Sequence, residues 1–129
     1  MAEDKKYLRR KRSKETITAI TYQMEYVIKE YPVEVMVLSD SQGLLIASYG
    51  HDELSELIAA FGHRLAAGEP PDPSLFELMP DLKAEMILSE PIELDEIPLF
   101  LTAIMAPEEE AARGFARARK GIKRIYNTT

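Results

Sequence analysis

Apolar residues recur at the helical period in three stretches of the chain. The first stretch begins near Lys14, with Ser13 as its predicted N-cap, and ends before Pro32. The second begins at its predicted N-cap Asp52, and the third begins at Pro107. The three apolar stripes are, in chain order, Ile17, Ile20, Met24, Val27, Ile28 and Tyr31, then Leu54, Leu57, Ile58, Phe61 and Leu65, then Phe115, Ala118, Ile122 and Ile125.

A hairpin is predicted between the first two helices. Residues 33–39 are rich in β-branched types, and residues 44–49 supply a returning strand. The intervening Asp40-Ser41-Gln42-Gly43 has turn chemistry, since Gly43 can adopt the left-handed conformation of a short hairpin loop.

The second half of the chain adds further strands after a proline-rich connector at residues 68–81, which holds one helical turn from Ser74. Residues 83–94 predict a strand that is broken or bulged at Pro91. Residues 99–105 are almost continuously apolar, which is typical of a strand at the centre of a sheet. The order αββαβββα predicts an α+β domain with a five-stranded antiparallel sheet flanked by helices.

The charged residues are segregated along the chain. The formal net charge is −6, from 16 basic and 22 acidic residues, which argues against a globally basic nucleic-acid binder. Residues 1–14 carry +5, residues 15–107 carry −14 and residues 108–129 carry +3. Residues 1–13 have few large apolar groups and predict a flexible basic arm, so that residues 14–129 form the single domain.

Common kinds of catalytic site lack their motifs in this sequence. The absence of cysteine excludes disulfides and thiolate nucleophiles, and it fits a cytoplasmic location. His51 and His63 are twelve residues apart, beyond the spacing of two metal ligands on one helical face. Neither a Gly-x-Ser-x-Gly elbow nor a P-loop occurs, and no apolar run is long enough to span a bilayer. We therefore predict no catalytic, cofactor-binding or metal-binding residue.

Two surfaces favour self-association. The second helix is predicted as a dimer or partner platform, and the strand after the connector is predicted to lie at a sheet edge. Small residues on the second helix would let a partner approach closely: Ala59, Ala60, Gly62 and Ala66. Pairing across a two-fold axis would cover the edge, unless the connector covers it within one chain. The predicted interface consists of Leu54, Leu57, Ile58, Phe61, Arg64, Met86, Ile87 and Leu88.

The last helix carries a basic stripe beside its apolar one: Arg113, Arg117, Lys120 and Arg124. Arg119 and Lys123 widen this stripe, which is either a solvated face or a docking site for an acidic protein. Gly114 and Gly121 would allow the helix to pack closely on the sheet. The basic arm would bind an anionic membrane weakly at most, because it lacks apolar anchors, and nucleic acid is a less favoured partner.

The order of elements and several segments resemble the roadblock (dynein light chain) family of small α+β proteins. Val33–Ser39 and Asp40–Ser48 are similar to the family's first hairpin. Leu54–Ala60 is similar to the start of its central helix. Phe100–Met105, leading into Arg113–Tyr126, is similar to its last strand and closing helix. The last of these is most similar to the bacterial gliding-motility regulators. The resemblance covers roughly residues 15–126. The proline-rich connector is longer than in the family, and the basic arm is additional.

The resemblance implies a roadblock/profilin-like fold and a homodimer with a continuous intermolecular sheet. It also implies a non-enzymatic adaptor or regulator that binds a Ras-like small GTPase or a polarity or motility complex. Bacterial members of this kind can stimulate hydrolysis by reshaping the GTPase, without lending a catalytic side chain.

Two other hypotheses stay open. The first is a small ligand-sensing domain with a pocket between sheet and helix, which a solid core at Leu101, Ile104 and Phe115 would exclude. The second is a basic-armed nucleic-acid binder, which requires a salt-dependent affinity that is lost without the arm.

Overall fold

The computed structural model describes residues 2–94 and 96–128, with side chains from residue 14 onward. Its helices are α1 (Ala2–Glu30), α2 (Asp52–Ala66), α3 (Pro73–Leu78) and α4 (Glu109–Thr128). Its strands are β1 (Val33–Asp40), β2 (Leu45–Tyr49), β3 (Ile87–Leu94) and β4 (Ile97–Met105), and a 3₁₀ turn at Ala84–Met86 precedes β3.

The described residues form one antiparallel sheet of four strands in the order β2-β1-β4-β3, so the α+β prediction is confirmed and the predicted fifth strand is wrong. The segment after the connector turns through the 3₁₀ turn and then contributes a single strand. Pro91 neither breaks nor bulges it, because the register with β4 continues from Ile87 to Leu94. A proline is tolerated here because β3 is an edge strand.

Helices cover both faces of the sheet. In β1, Met36 and Leu38 contribute to the core beneath α1 and α4, whereas Val35 and Val37 contribute to the core beneath α2. All four side chains are at most 3% exposed. The apolar run of β1 therefore reflects burial on two faces, since successive side chains of a strand point in opposite directions.

Helix α1 begins earlier than the sequence predicts, at Ala2 rather than near the predicted cap Ser13. Thr16 and Ile20 are its first buried side chains among the described residues. The side chains of residues 1–13 lie outside the described residues, so the separate basic arm remains a prediction.

Local hydrogen bonds fix the turns that position the sheet and α2. The Asp40 carboxylate accepts hydrogen bonds from the backbone amides of Gln42 (2.8 Å) and Leu44 (2.9 Å), while Gly43 has φ 84°, as the hairpin prediction requires. The N-cap of α2 is His51 rather than the predicted Asp52. His51 Nδ1 accepts a hydrogen bond from the Leu54 amide at 3.1 Å, which an aspartate cap would otherwise do.

Candidate functional site

The predicted interface residues of α2 divide between core and surface. Leu54 and Ile58 are buried in the core between α2 and the sheet, so they stabilise their own chain. Leu57 and Phe61 are half-buried, and Arg64 is exposed with its guanidinium carbon 5.8 Å from the Phe61 ring centroid. The part of the predicted platform that remains open therefore consists of Leu57, Phe61 and Arg64.

The small residues of α2 serve a different purpose from the predicted one. Ala59 and Gly62 are buried against the sheet of their own chain rather than facing outward. A Cβ atom at Gly62 would lie 2.6 Å from Ser39 Oγ and 3.4 Å from Thr102 Oγ1. Gly62 is therefore needed for the close approach of α2 to the sheet, while Ala60 is exposed.

A row of hydroxyl groups lies on the sheet beneath this part of α2. Ser89 Oγ donates to the Gly62 carbonyl oxygen at 3.1 Å, and it lies 2.8 Å from Thr102 Oγ1. Ser39 Oγ is buried and has no hydrogen-bond partner among the described residues. These hydroxyl groups connect β4 and β3 to α2. The alternation of polar and apolar residues along the sequence did not by itself single out these polar positions among their apolar neighbours.

The edge strand β3 carries the second part of the predicted interface. Ile87 and Leu88 are half-buried on this strand, whereas Met86 lies in the preceding 3₁₀ turn. The connector contributes Leu75 and Leu82 to the core beneath α2, and β3 has no second strand partner among the described residues.

The outer edge of β3 is open along only part of its length. Pro91 has no N–H, and its carbonyl oxygen accepts a hydrogen bond from Arg119 Nη2 at 3.0 Å. Arg119 Nε also lies 3.8 Å from a Glu90 carboxylate oxygen. A further strand could therefore pair with the N-terminal half of the edge, around Ile87–Ser89, but not at Pro91.

The two histidines have separate local environments. His51 caps α2, and the His63 ring is 6.2 Å from the Phe100 ring, measured between centroids. Across the part of the chain that the structure describes, no group of three or more His, Cys, Asp or Glu residues could hold a metal ion. Within those same residues, no helix is long and apolar enough to cross a membrane.

The basic stripe of α4 lies beside α1. Arg113, Arg117, Lys120 and Arg124 are exposed, and the Arg117 guanidinium carbon is 5.1 Å from the Tyr26 ring centroid. A hydrogen bond with Tyr31 is the main cause that raises the pKa of Arg117, and Tyr26 adds to it. Arg119 and Lys123 are half-buried, so they extend the stripe less than the sequence predicts.

Glycines allow α4 to pack closely on α1, which corrects the prediction that they face the sheet. A Cβ at Gly114 would lie 2.7 Å from Tyr31 Cβ, and one at Gly121 would lie 2.5 Å from Gln23 Nε2. The later glycine of α4 therefore contacts the earlier of the two residues, so the two helices run antiparallel, with α4 beside the second half of α1. Tyr22, 67% exposed, and Tyr26, 43% exposed, lie on the outer face of α1 and were not predicted as surface residues of interest. Both tyrosines lie outside the apolar stripe of α1, and this feature of the sequence could have identified them as exposed.

Comparison with known proteins finds likeness at the level of structure. No protein-family model matches the chain, and no curated protein matches it either. Myxococcus xanthus MglB has a TM-score of 0.58 at 15% identity, with 87% of this chain and 90% of that chain covered. The gliding protein MglB from Thermus thermophilus has a TM-score of 0.55 at 16% identity, with 88% of this chain and 93% of that chain covered.

A further structure, described as MglB with tetrameric arrangement, has a TM-score of 0.54 at 18% identity, with 88% of this chain and 91% of that chain covered. Each comparison extends over most of both chains, although the identities are low. The chain therefore has the fold of the MglB proteins, and the likeness to the roadblock-type gliding-motility regulators that the sequence predicted is confirmed for the fold.

Proposed function

We propose that this protein is a non-enzymatic homodimeric adaptor of the cytoplasm that binds and regulates a Ras-like small GTPase. The fold shared with MglB proteins, one of which is described as a gliding protein, is the observation that carries the proposal. The resemblance of the hairpin, central helix and closing helix to the roadblock family supports the same function.

The side of the molecule formed by α2 and β3 supports the dimer. An edge strand with an uncovered apolar half is prone to pairing, and Ile87 and Leu88 occupy that half. Pairing of two such edges about a two-fold axis would bring the two α2 helices to the same side of a joined sheet. Leu57, Phe61 and Arg64 would then form a platform for the partner.

Sedimentation equilibrium of the full chain tests the dimer. We expect the mass of two chains at tens-of-micromolar concentration, and the mass of one chain after Leu88→Lys, because a lysine on each edge would repel its symmetry mate. Ile87→Lys, at the neighbouring position of the same half of β3, provides a second variant if Leu88→Lys does not fold. Monomeric wild-type protein in this range would contradict the dimer.

Binding to a Ras-like GTPase, taken from a neighbouring gene where one exists, tests the partner. We expect binding that depends on the bound nucleotide, and faster GTP hydrolysis by the partner if the protein activates it. Equal affinity for the GTP-bound and GDP-bound forms would contradict a regulatory role.

The variant Arg64→Ala tests whether activation needs a side chain from this protein, since Arg64 is the one arginine of α2. We expect weaker binding but an unchanged hydrolysis rate at saturation, measured in single turnovers. An arginine finger would instead lose roughly a thousandfold or more in rate. Lys83→Ala, which removes an exposed cation outside α2, is the matched control.

The ligand-sensing alternative is less well supported. Leu101 and Ile104 are fully buried, and Phe115 is 2% exposed, so these side chains fill the space on both sides of the sheet. A ligand between sheet and helices would have to displace them. The structure thus favours the adaptor over a sensor.

A further inference from the structure

The basic stripe of α4 points away from the sheet. Its four exposed bases follow one another at intervals of four, three and four residues, so they share one side of the helix. The buried residues of α4, among them Phe115 and Ile122, occupy the opposite side and belong to the core. Because α2 covers the other face of the sheet, the stripe lies outside the surfaces proposed for the dimer and the GTPase.

Two exposed tyrosines of α1 lie alongside the basic stripe. The Arg117 guanidinium carbon is 5.1 Å from the ring centroid of Tyr26, which is 43% exposed. Tyr22 is 67% exposed and lies one turn before Tyr26 on the same side of α1. Since Gln23 contacts Gly121, Tyr22 is about level with the C-terminal half of the stripe. The row of bases therefore has a parallel aromatic edge.

Most of the basic stripe has no acidic partner. Arg113, at its N-terminal end, lies 3.1 Å from a Glu109 carboxylate oxygen. For Arg117, Lys120 and Arg124, no ion pair is found among the residues whose side chains the structure describes. Unpaired bases beside tyrosine rings suit a partner that supplies carboxylates together with an apolar contact.

We propose that the basic stripe and the two tyrosines bind a short acidic amphipathic helix of another protein. Arg113 and Arg124 are eleven positions apart, or about 16 Å along α4, so the mean separation of neighbouring bases is about 5.5 Å. A helix with one carboxylate per turn repeats at about 5.4 Å and stays in register with all four bases. An extended strand presents every second side chain about 6.7 Å apart, so it would lose this register.

The acidic residues of the same helical layer favour a narrow partner over a membrane. Glu15 lines a shallow groove beside Tyr22, and the exposed Glu30 lies one turn after Tyr26 on the same side of α1. A planar membrane would meet both glutamates together with the bases, so part of the attraction would be cancelled. A single helix centred on the stripe would meet the bases and leave most of α1 uncovered.

The charges beyond the basic stripe favour a short segment over a nucleic acid. Glu108, Glu109 and Glu110 precede the stripe directly, and residues 15–107 carry a net charge of −14. A nucleic acid would continue past the stripe and meet this negative charge. An acidic helix of about three turns would instead end where the bases end.

Fluorescence anisotropy of two labelled peptides with the full chain tests this proposal. Both peptides are alanine-rich, are about 20 residues long to favour helix formation, and contain four glutamates and three leucines. The ordered peptide has its glutamates in one row along the helix with the leucines beside them, and the scattered peptide distributes the same residues around the helix. We expect the ordered peptide to bind about tenfold more tightly, and to be released at high salt.

Charge reversal within the basic stripe should weaken binding of the ordered peptide about fivefold, because an attraction becomes a repulsion. Lys120→Glu is the test variant, and Arg124→Glu replaces it if Lys120→Glu does not fold. Lys83→Glu, at an exposed lysine outside α1 and α4, changes the net charge equally and should leave the affinity unchanged. Tyr22→Ser should also weaken binding, because the leucines lose an apolar contact.

Three outcomes would overturn the proposal. These are absence of peptide binding at low salt, equal affinity for the two peptides, and equal effects of Lys120→Glu and Lys83→Glu. Tighter binding through Lys120 to phosphatidylglycerol vesicles or to single-stranded DNA than to the ordered peptide would also contradict it, and would indicate a site for lipid or nucleic acid. Dimer mass and GTPase binding should be the same in Lys120→Glu and the wild type, so this proposal and the adaptor function can fail separately.

Discussion

Close contacts of single residues determine how near α2 lies to the sheet. Gly62 is the clearest example, because its missing side chain leaves room for Ser39 and Thr102, and its carbonyl accepts the Ser89 hydroxyl. A helical glycine costs about 1 kcal/mol relative to alanine, so the sequence carries it against local preference. The reason is tertiary, since the side-chain atoms nearest to a Cβ at Gly62 come from β1 and β4, and the hydroxyl that donates to its carbonyl comes from β3.

The Gly62→Ala variant should be less stable than the wild type by about 1–2 kcal/mol in free energy of unfolding, because overpacking outweighs the gain in helix propensity. Adding Ser39→Ala removes both the 2.6 Å contact and a buried hydroxyl without a hydrogen-bond partner among the described residues. The double variant should therefore be at least as stable as the wild type. Urea denaturation measures the free energy of unfolding of both variants, with Ser39→Ala as the control. A double variant no more stable than Gly62→Ala would contradict the explanation that Ser39 crowds the added methyl group.

Individual elements were predicted well where a local pattern determines them. The stripe of α1 and the Asp40–Gly43 turn appear as the periodicity and turn chemistry indicate. The predictions failed where a neighbouring element decides the outcome. Pro91 suggested a break in β3, but the position of β3 at the sheet edge and the Arg119 side chain of α4 accommodate it. His51, rather than Asp52, caps α2, because a histidine ring nitrogen can accept the hydrogen bond of a first-turn amide as an aspartate carboxylate does.

The contact of Arg119 with β3 predicts a local effect on that strand. Arg119→Ala should speed hydrogen exchange at the Glu90 and Ile92 amides and lower the free energy of unfolding by about 0.5–1 kcal/mol, since the Pro91 carbonyl then loses its protein donor. Hydrogen–deuterium exchange with residue resolution measures this. Arg113→Ala, which removes an exposed arginine elsewhere on α4, should leave β3 unchanged, and equal exchange in both variants would contradict a specific contact.

At the scale of the whole molecule, we predict that the independently folding domain begins near residue 14, close to the first buried side chains among the described residues. The first buried side chains among the described residues of α1 are Thr16 and Ile20, and the remaining core comes from later elements. The early turns of α1 are continuous with the domain in backbone but carry a net positive charge in sequence.

Deletion of residues 1–13 should therefore change the free energy of unfolding by no more than about 0.5 kcal/mol. Ile20→Ala, which truncates a side chain 2% exposed, should lower it by about 2–5 kcal/mol and calibrates the measurement. Chemical denaturation of the three proteins tests the boundary. A loss of stability on deletion comparable to that of Ile20→Ala would show that the predicted arm belongs to the domain.

By itself the sequence determined the main helices, the first hairpin, the α+β class and the segregation of charge into two basic ends and an acidic body. These features depend on residues close together along the chain, where periodicity and turn chemistry act. Only the tertiary structure decided that the sheet has four strands and that Leu54 and Ile58 face inward. It also decided that α4 packs antiparallel to α1, because this pairing depends on Gly114 and Gly121 contacting residues more than eighty positions earlier.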